Sequence, residues 1–145
     1  MRELNSVKLE FPAKSANESF ARSAVACFAA QLDPTVDELG DLKAAVSEAV
    51  TNAIVHGYRD RVGTVTLTVR LYRPAAVEIV IADKGCGIEN VKQAREPLFT
   101  TGGADRSGMG FTIMESFMDG VTVRSKPGKG TTVTLKKALQ ARQEA

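Results

Sequence analysis

Glu48, Asn52 and His56 recur every fourth residue within SEAVTNAIVHGY, Ser47 to Tyr58, in a run that is otherwise largely apolar. At about 100° per residue, this spacing puts all three on one stripe of a helix, beside an arc of Val46, Ala49, Val50, Ala53 and Ile54. A carboxylate and an amide oxygen one turn apart can orient a hydroxyl or water and hold a hard cation such as Mg²⁺. Asn suits helix interiors poorly because its amide competes for backbone groups, and Ala45 and Ala49 leave room for a ligand. Taken alone, the stripe reads more plainly as a solvated helix flank bordering the core. His56 reads as structural, placed to meet the last carbonyls and the dipole at the helix C-terminus.

Other segments carry glycines at telling positions. In VIADKGCGI, Asp83 ends an apolar strand and Gly85 and Gly87 follow in D-x-G-x-G spacing. A turn after a strand explains this, but so does nucleobase recognition. The carboxylate can accept a hydrogen bond from the exocyclic amine of adenine, and missing β-carbons let backbone approach a flat ring. In DRSGMGFTIMESF, Arg106 precedes Gly108, Met109 and Gly110 at a helix start, where free N–H groups bind phosphate. Arg106 has the planar fork suited to a terminal phosphate, although a lone loop Arg is also commonly just solvated. The segment departs from G-x-G-x-x-G, since Ile113 stands at its last Gly, and the chain has no Walker A sequence. PGKGTTVTL is explained by a hairpin turn followed by a Thr-rich strand.

The elements that must position these residues follow from periodicity. VKLEFPAK alternates as a strand, with Pro12 marking an edge or a strand end. A helix capped by Ser15 or Asn17 follows, with Phe20, Val25, Phe28 and Leu32 as its apolar side, until Asp33-Pro34 stops it. Thr35 and Glu38 form a capping box for a second helix running to about Gly57. GTVTLTVRLY and AAVEIVIAD alternate as paired antiparallel strands around Arg73-Pro74. Gly85 to Gly110 reads as a long loop with one helical turn near Asn90 to Ala94, a length uncommon unless functional. Phe111 to Met118 reads as a helix closed by Gly120, and VTVRS and TTVTLKK as a hairpin, before a polar tail expected to fray after Lys137. This order lacks strict strand-helix alternation. It predicts an α/β (α+β) two-layer sandwich, with a mixed, mostly antiparallel sheet and helices on one face.

The 145 residues, 43% of them hydrophobic, fit one domain over 1–145 with an ordered core of about 7–137. A formal net charge of +2 with scattered Lys and Arg argues against a nucleic-acid or anionic-membrane surface. No apolar run approaches the ~18 residues of a membrane span and MRELNSVKLEF lacks a signal-peptide layout, so a cytoplasmic protein is expected. With one His in the chain, Cys27 and Cys86 cannot complete a structural zinc site. Both thiols are expected reduced, with Cys27 packed as a small apolar group.

E-x-x-x-N on a helix, D-x-G-x-G after a strand, a G-x-G loop and a late G-x-G-T-T occur here in that order, and together they are specific. Over about Val7 to Lys136 the sequence resembles the GHKL ATPase and kinase superfamily, whose Bergerat nucleotide-binding fold gyrase and histidine kinases share. Within it, NESFARSAVACFAAQLDPTVDEL, VSEAVTNAIVHGY, PLFTT and RSGMGFTIMESFMD resemble the sporulation anti-sigma F family of serine-protein kinases.

The resemblance implies a homodimer binding ATP or ADP with Mg²⁺. Such a dimer sequesters a sporulation sigma factor and phosphorylates a serine of its anti-anti-sigma antagonist. It implies Glu48 as general base, Asn52 as Mg²⁺ ligand and Asp83 as adenine contact, with Gly85, Gly87 and Thr131 near the base. It implies nucleotide contacts from Thr100, Thr101, Ser107, Gly108, Met109 and Gly110, with Arg106 on the γ-phosphate. Arg22 is implied as a partner-binding residue, although a solvated helix Arg explains it too. The lid TTGGADRSGMG is shorter and less charged than the family pattern, and Lys84 replaces an acidic residue. A stress-response anti-sigma kinase of the same superfamily and an ATP-gated binding module with little catalysis are the rival readings. VKLEF is a candidate dimer edge by position.

Overall fold

The computed structural model describes residues 2–58, 62–88, 90–95 and 110–140. In chain order they form β1 (Arg2–Pro12), α1 (Ala16–Ala29), α2 (Val36–Asn52), β2 (Thr64–Arg73), β3 (Ala76–Asp83), α3 (Val91–Ala94), α4 (Gly110–Phe117), β4 (Gly120–Lys126) and β5 (Gly130–Ala138). The strands make one sheet ordered β1-β2-β3-β5-β4. Each of these pairings is antiparallel.

Alternation decides which face is buried. Leu67 pairs with Ile81 and Val69 with Ile79. Ile81 and Ile79 in turn pair with Val133 and Leu135 on β5. These side chains are buried, while the intervening Thr66, Thr68 and Arg70 are partly exposed on the other face. The second layer is helical, with α2 between α1 and α4. Leu42, Ala45, Val46, Ala49 and Val50 give α2 its buried side. Each Leu, Ile or Val fully withdrawn from water here stabilises the fold by roughly 1.5–3 kcal/mol.

β1 starts at Arg2 rather than Val7, because the polar residues before Val7 pair with β2 as far as Arg73. Backbone pairing, not side-chain alternation, carries that extension, with a bulge between Glu3 and Asn5. On α1 the buried side is Ala21, Val25, Ala26 and Ala29, and Phe20 is 55% exposed rather than inward. Small side chains on that side let α1 lie close to α2. Cys27 is exposed, so it does not serve as core packing. Ser15 holds the N-cap position of α1 without a side-chain bond, and Asn17 Nδ2 donates to Pro12 O at 2.9 Å instead of capping. A 3-10 turn over Ala30–Leu32 ends α1, and Asp33 reverses the chain at φ 52°.

The capping box of α2 is complete: Thr35 N donates to Glu38 Oε1 at 2.8 Å, and Glu38 N to Thr35 Oγ1 at 3.1 Å. The helical turn near Asn90 is α3, with Asn90 Oδ1 accepting from Gln93 N at 2.9 Å. Gly120 opens β4 opposite Lys136 rather than merely closing a helix. Residues 138–140, expected to fray, are held. Ala138 N donates to Asp119 Oδ2 at 2.6 Å, Leu139 N to Ala75 O at 2.9 Å and Gln140 N to Glu38 Oε2 at 2.7 Å. Leu139 is also buried in the core.

Candidate functional site

Glu48 and Asn52 lie in the last part of α2, both partly exposed beside the buried Ala45 and Ala49. Gly110, the first residue of α4, faces both. A methyl group there would stand 3.3 Å from Glu48 Oε2 and 3.4 Å from Asn52 Oδ1. The two polar ends therefore converge on one point at a helix start, where backbone N–H groups favour anions. A carboxylate and an amide oxygen facing the same point suit a hard cation together with a hydroxyl substrate, so these residues fit Mg²⁺ and a phosphate chain.

Directly after Asn52 the α-helix gives way to a π-helical turn, Ala53–Gly57. Such turns recur at functional sites because the wider loop redirects the chain. Here the redirected end meets the segment after β3. Cys86 N donates to Gly57 O at 2.8 Å and Cys86 Sγ to His56 O at 3.1 Å. Gly85 rests on the same carbonyl so closely that a β-carbon would lie 2.0 Å from Gly57 O. Backbone approach this tight admits only glycine.

Asp83, the last residue of β3, pairs with Thr131 on β5. Its carboxylate lies against Gly57, where an added methyl would come within 2.9 Å of Oδ1. Burial pushes its carboxyl above the ordinary carboxylate range, and the N–H groups of Gly85 and Thr131 pull it partly back. The Gly85 N–H bond to Oδ1 is 2.9 Å. A half-buried acceptor framed by backbone suits an amine on a flat heterocycle.

The β4–β5 turn closes the other side. Gly128 N donates to Cys86 O at 2.7 Å, and Ile88 N to Ser125 Oγ at 2.7 Å. Ser125 Oγ also lies 3.0 Å from Gly130 O and 2.8 Å from Thr131 Oγ1. Gly87 packs against the Lys126 carbonyl. The structure thus gathers Glu48, Asn52 and Gly110 at one end and Asp83, Gly85, Gly87 and Thr131 at the other, joined by the π-helical turn after α2.

Arg22 stands apart on α1, bonded through Nη1 to Glu18 Oε1 at 3.1 Å and to Ser47 Oγ at 3.4 Å. It links α1 to the residue preceding Glu48 rather than standing free in solvent. Thr100, Thr101, Arg106, Ser107, Gly108 and Met109 lie outside the described residues. Sequence reasoning missed Tyr58 and Ser125. Tyr58 is the last residue of SEAVTNAIVHGY, whereas Ser125 sits in a predicted strand with nothing to mark it.

Residues 11–137 match the histidine kinase-like ATPase domain. The chain is 58% identical to the anti-sigma F factor of Geobacillus sp. strain WCH70, over 93% of each chain. It is 55% identical to that of Geobacillus stearothermophilus over 96% of each. Against the anti-sigma F factor of Clostridium acetobutylicum it is 54% identical, over 92% of this chain and 93% of the other. The chain belongs to the anti-sigma F factor family.

Solved structures share the fold. The RsbU and RsbW domains of Rv1364c from Mycobacterium tuberculosis superpose with a TM-score of 0.70 at 20% identity, over 98% of this chain and 35% of that one. Full-length ShkA in complex with AMPPNP gives a TM-score of 0.59 at 20% identity, over 92% of this chain and 32% of that one. Among the described residues no helix is long and apolar enough to cross a membrane.

Proposed function

We propose that this chain, acting as one unit over 1–145, is an ATP-dependent anti-sigma factor and serine-protein kinase. On this reading it sequesters a sporulation sigma factor in the cytoplasm, as a homodimer, and phosphorylates a serine of the anti-anti-sigma antagonist. Arg22 contributes to partner binding. The observation that carries the reading is the convergence of Glu48 and Asn52 on Gly110, one end of a site whose other end is the Asp83 carboxylate.

Phosphoryl transfer depends on alignment and charge neutralisation more than on covalent help from the protein. Glu48 accepts the serine hydroxyl proton as the serine oxygen bonds to the γ-phosphorus and the bond to ADP breaks. Asn52 would supply an oxygen to hold Mg²⁺, and the ion would neutralise phosphate charge there. Asp83 accepts from the adenine amine, with Gly85, Gly87 and Thr131 around the base. Gly110 opens the phosphate end, and the family resemblance assigns nucleotide contacts to Thr100, Thr101, Ser107, Gly108 and Met109 and the γ-phosphate to Arg106.

Incubation with γ-labelled ATP and Mg²⁺, with and without an anti-anti-sigma protein, tests this. Label on a serine of the partner is the expected result. Phosphate release without labelled partner would make the protein an ATPase, and neither product would make it a binding module; each would overturn the kinase reading. Transfer only to a stress-response antagonist would replace the sporulation assignment.

A further inference from the structure

We propose that Tyr58 is a positioning residue that sets adenine selectivity by fixing the Asp83–Lys84 peptide, from which the chain runs on to Gly85. The inference rests on the reading of Asp83 as the adenine acceptor and adds a residue that acts through the backbone.

Tyr58 follows the π-helical turn and is buried, at 6% exposure. Its hydroxyl accepts from Lys84 N at 2.7 Å and donates to Thr64 O at 2.9 Å. Lys84 is the first residue past β3, and Thr64 is the first of β2. Thr64 lies opposite Pro12, which brings no N–H to the sheet, and the phenol offers a donor to its carbonyl. The ring covers Gly63, where a β-carbon would come 2.2 Å from Tyr58 Cε1.

The Lys84 contact bears on the Asp83 carboxylate through the backbone. The Lys84 N–H belongs to the peptide that leaves Asp83, and the next N–H, of Gly85, holds Oδ1 at 2.9 Å. With the hydroxyl in place, the peptide plane is set and Gly85 N–H points at the carboxylate. Without it, a part-buried N–H loses the phenol oxygen as its acceptor, and the constraint on that peptide plane is relaxed. The carboxylate then loses its registration with the amine it must recognise. Contacts at the phosphate end, where Glu48 and Asn52 face Gly110, are unaffected.

The test compares binding of ATP with binding of purine riboside triphosphate, which lacks the 6-amino group, to wild type, Tyr58→Phe and Asp83→Asn by titration calorimetry. Wild type is expected to prefer ATP, Asp83→Asn to lose the preference, and Tyr58→Phe to bind ATP ~5- to 20-fold more weakly while holding the analogue within about 2-fold. Equal weakening of both ligands, or an unchanged preference in Tyr58→Phe, would overturn the positioning role. Absence of preference in wild type would instead overturn the Asp83 reading, and the Tyr58 proposal with it.

Should Tyr58→Phe not fold, 3-fluorotyrosine-labelled wild type supplies the readout, since the chain's other tyrosine is Tyr72, near the far end of β2. The Tyr58 ¹⁹F resonance is expected to shift more on adding ATP than on adding the analogue, with Tyr72 unmoved. Equal shifts with both ligands would refute the role.

Discussion

Gly85 lies flat against the carbonyl of Gly57, and that contact joins the π-helical turn after α2 to the segment after β3. Neither partner can yield, because both are backbone. Gly85→Ala is therefore expected to destabilise by ~1–3 kcal/mol, the usual scale of overpacking, and to weaken ATP binding as well. Gly40, on the exposed side of α2, has nothing within 4 Å of where its β-carbon would sit. Gly40→Ala should stabilise by ~0.5–1 kcal/mol through helix propensity alone. Urea denaturation of the two variants checks these opposite signs.

On the proposed reading, Asp83 trades stability for recognition. A buried carboxyl held above its ordinary range contributes stability that is fully present below the unfolded value and is lost as pH rises through the native one. At neutral pH the ionised group thus costs the nucleotide-free protein stability. Asp83→Asn should raise Tm at pH 7, and the advantage should shrink as pH falls through the raised native value. The same substitution should weaken ATP ~10- to 100-fold, the scale of a hydrogen bond to a charged group. In wild type, ATP binding should begin to fail on acidification at a higher pH than an ordinary carboxylate would allow. Thermal melts and calorimetry across pH read both effects.

Glu48→Gln keeps the shape beside Gly110 and removes the carboxylate proposed as the base. Transfer to the antagonist serine should fall by roughly 10² to 10⁴ with ATP affinity nearly unchanged. Single-turnover labelling against equilibrium binding separates the two, and near-normal transfer would remove Glu48 from the role of base.

Thr35→Ala removes the side-chain half of the capping box at the start of the helix that carries Glu48 and Asn52. A loss of ~0.5–2 kcal/mol in stability is expected. Because the cap lies more than three turns from Asn52, ATP affinity measured well below Tm should stay within about 2-fold of wild type. A large affinity loss would mean that the position of α2 depends on its first turn.

Much of this architecture was legible in the pattern. Alternation in GTVTLTVRLY and AAVEIVIAD marked the central strands, and Thr35 with Glu38 marked the start of α2, because these signals are local. Local signals failed where a partner decided the outcome. Arg2 to Ser6 extend β1 because β2 lies alongside, and Phe20 faces out because small residues on α1 pack against α2. Leu139 is buried because Ala75 is there to accept from its N–H.

At the site the division is similar. The sequence by itself determined the chemical types and helical spacing of Glu48 and Asn52, the D-x-G-x-G run after β3 and the family, since residue identity and short-range periodicity survive without a fold. Only the tertiary structure decided that Gly110 faces Glu48 and Asn52, that Gly57 receives both Asp83 and Gly85, and that Tyr58 and Ser125 hold the loop between them. Those contacts join residues far apart in the chain, and their geometry exists only once the sheet and helices have packed.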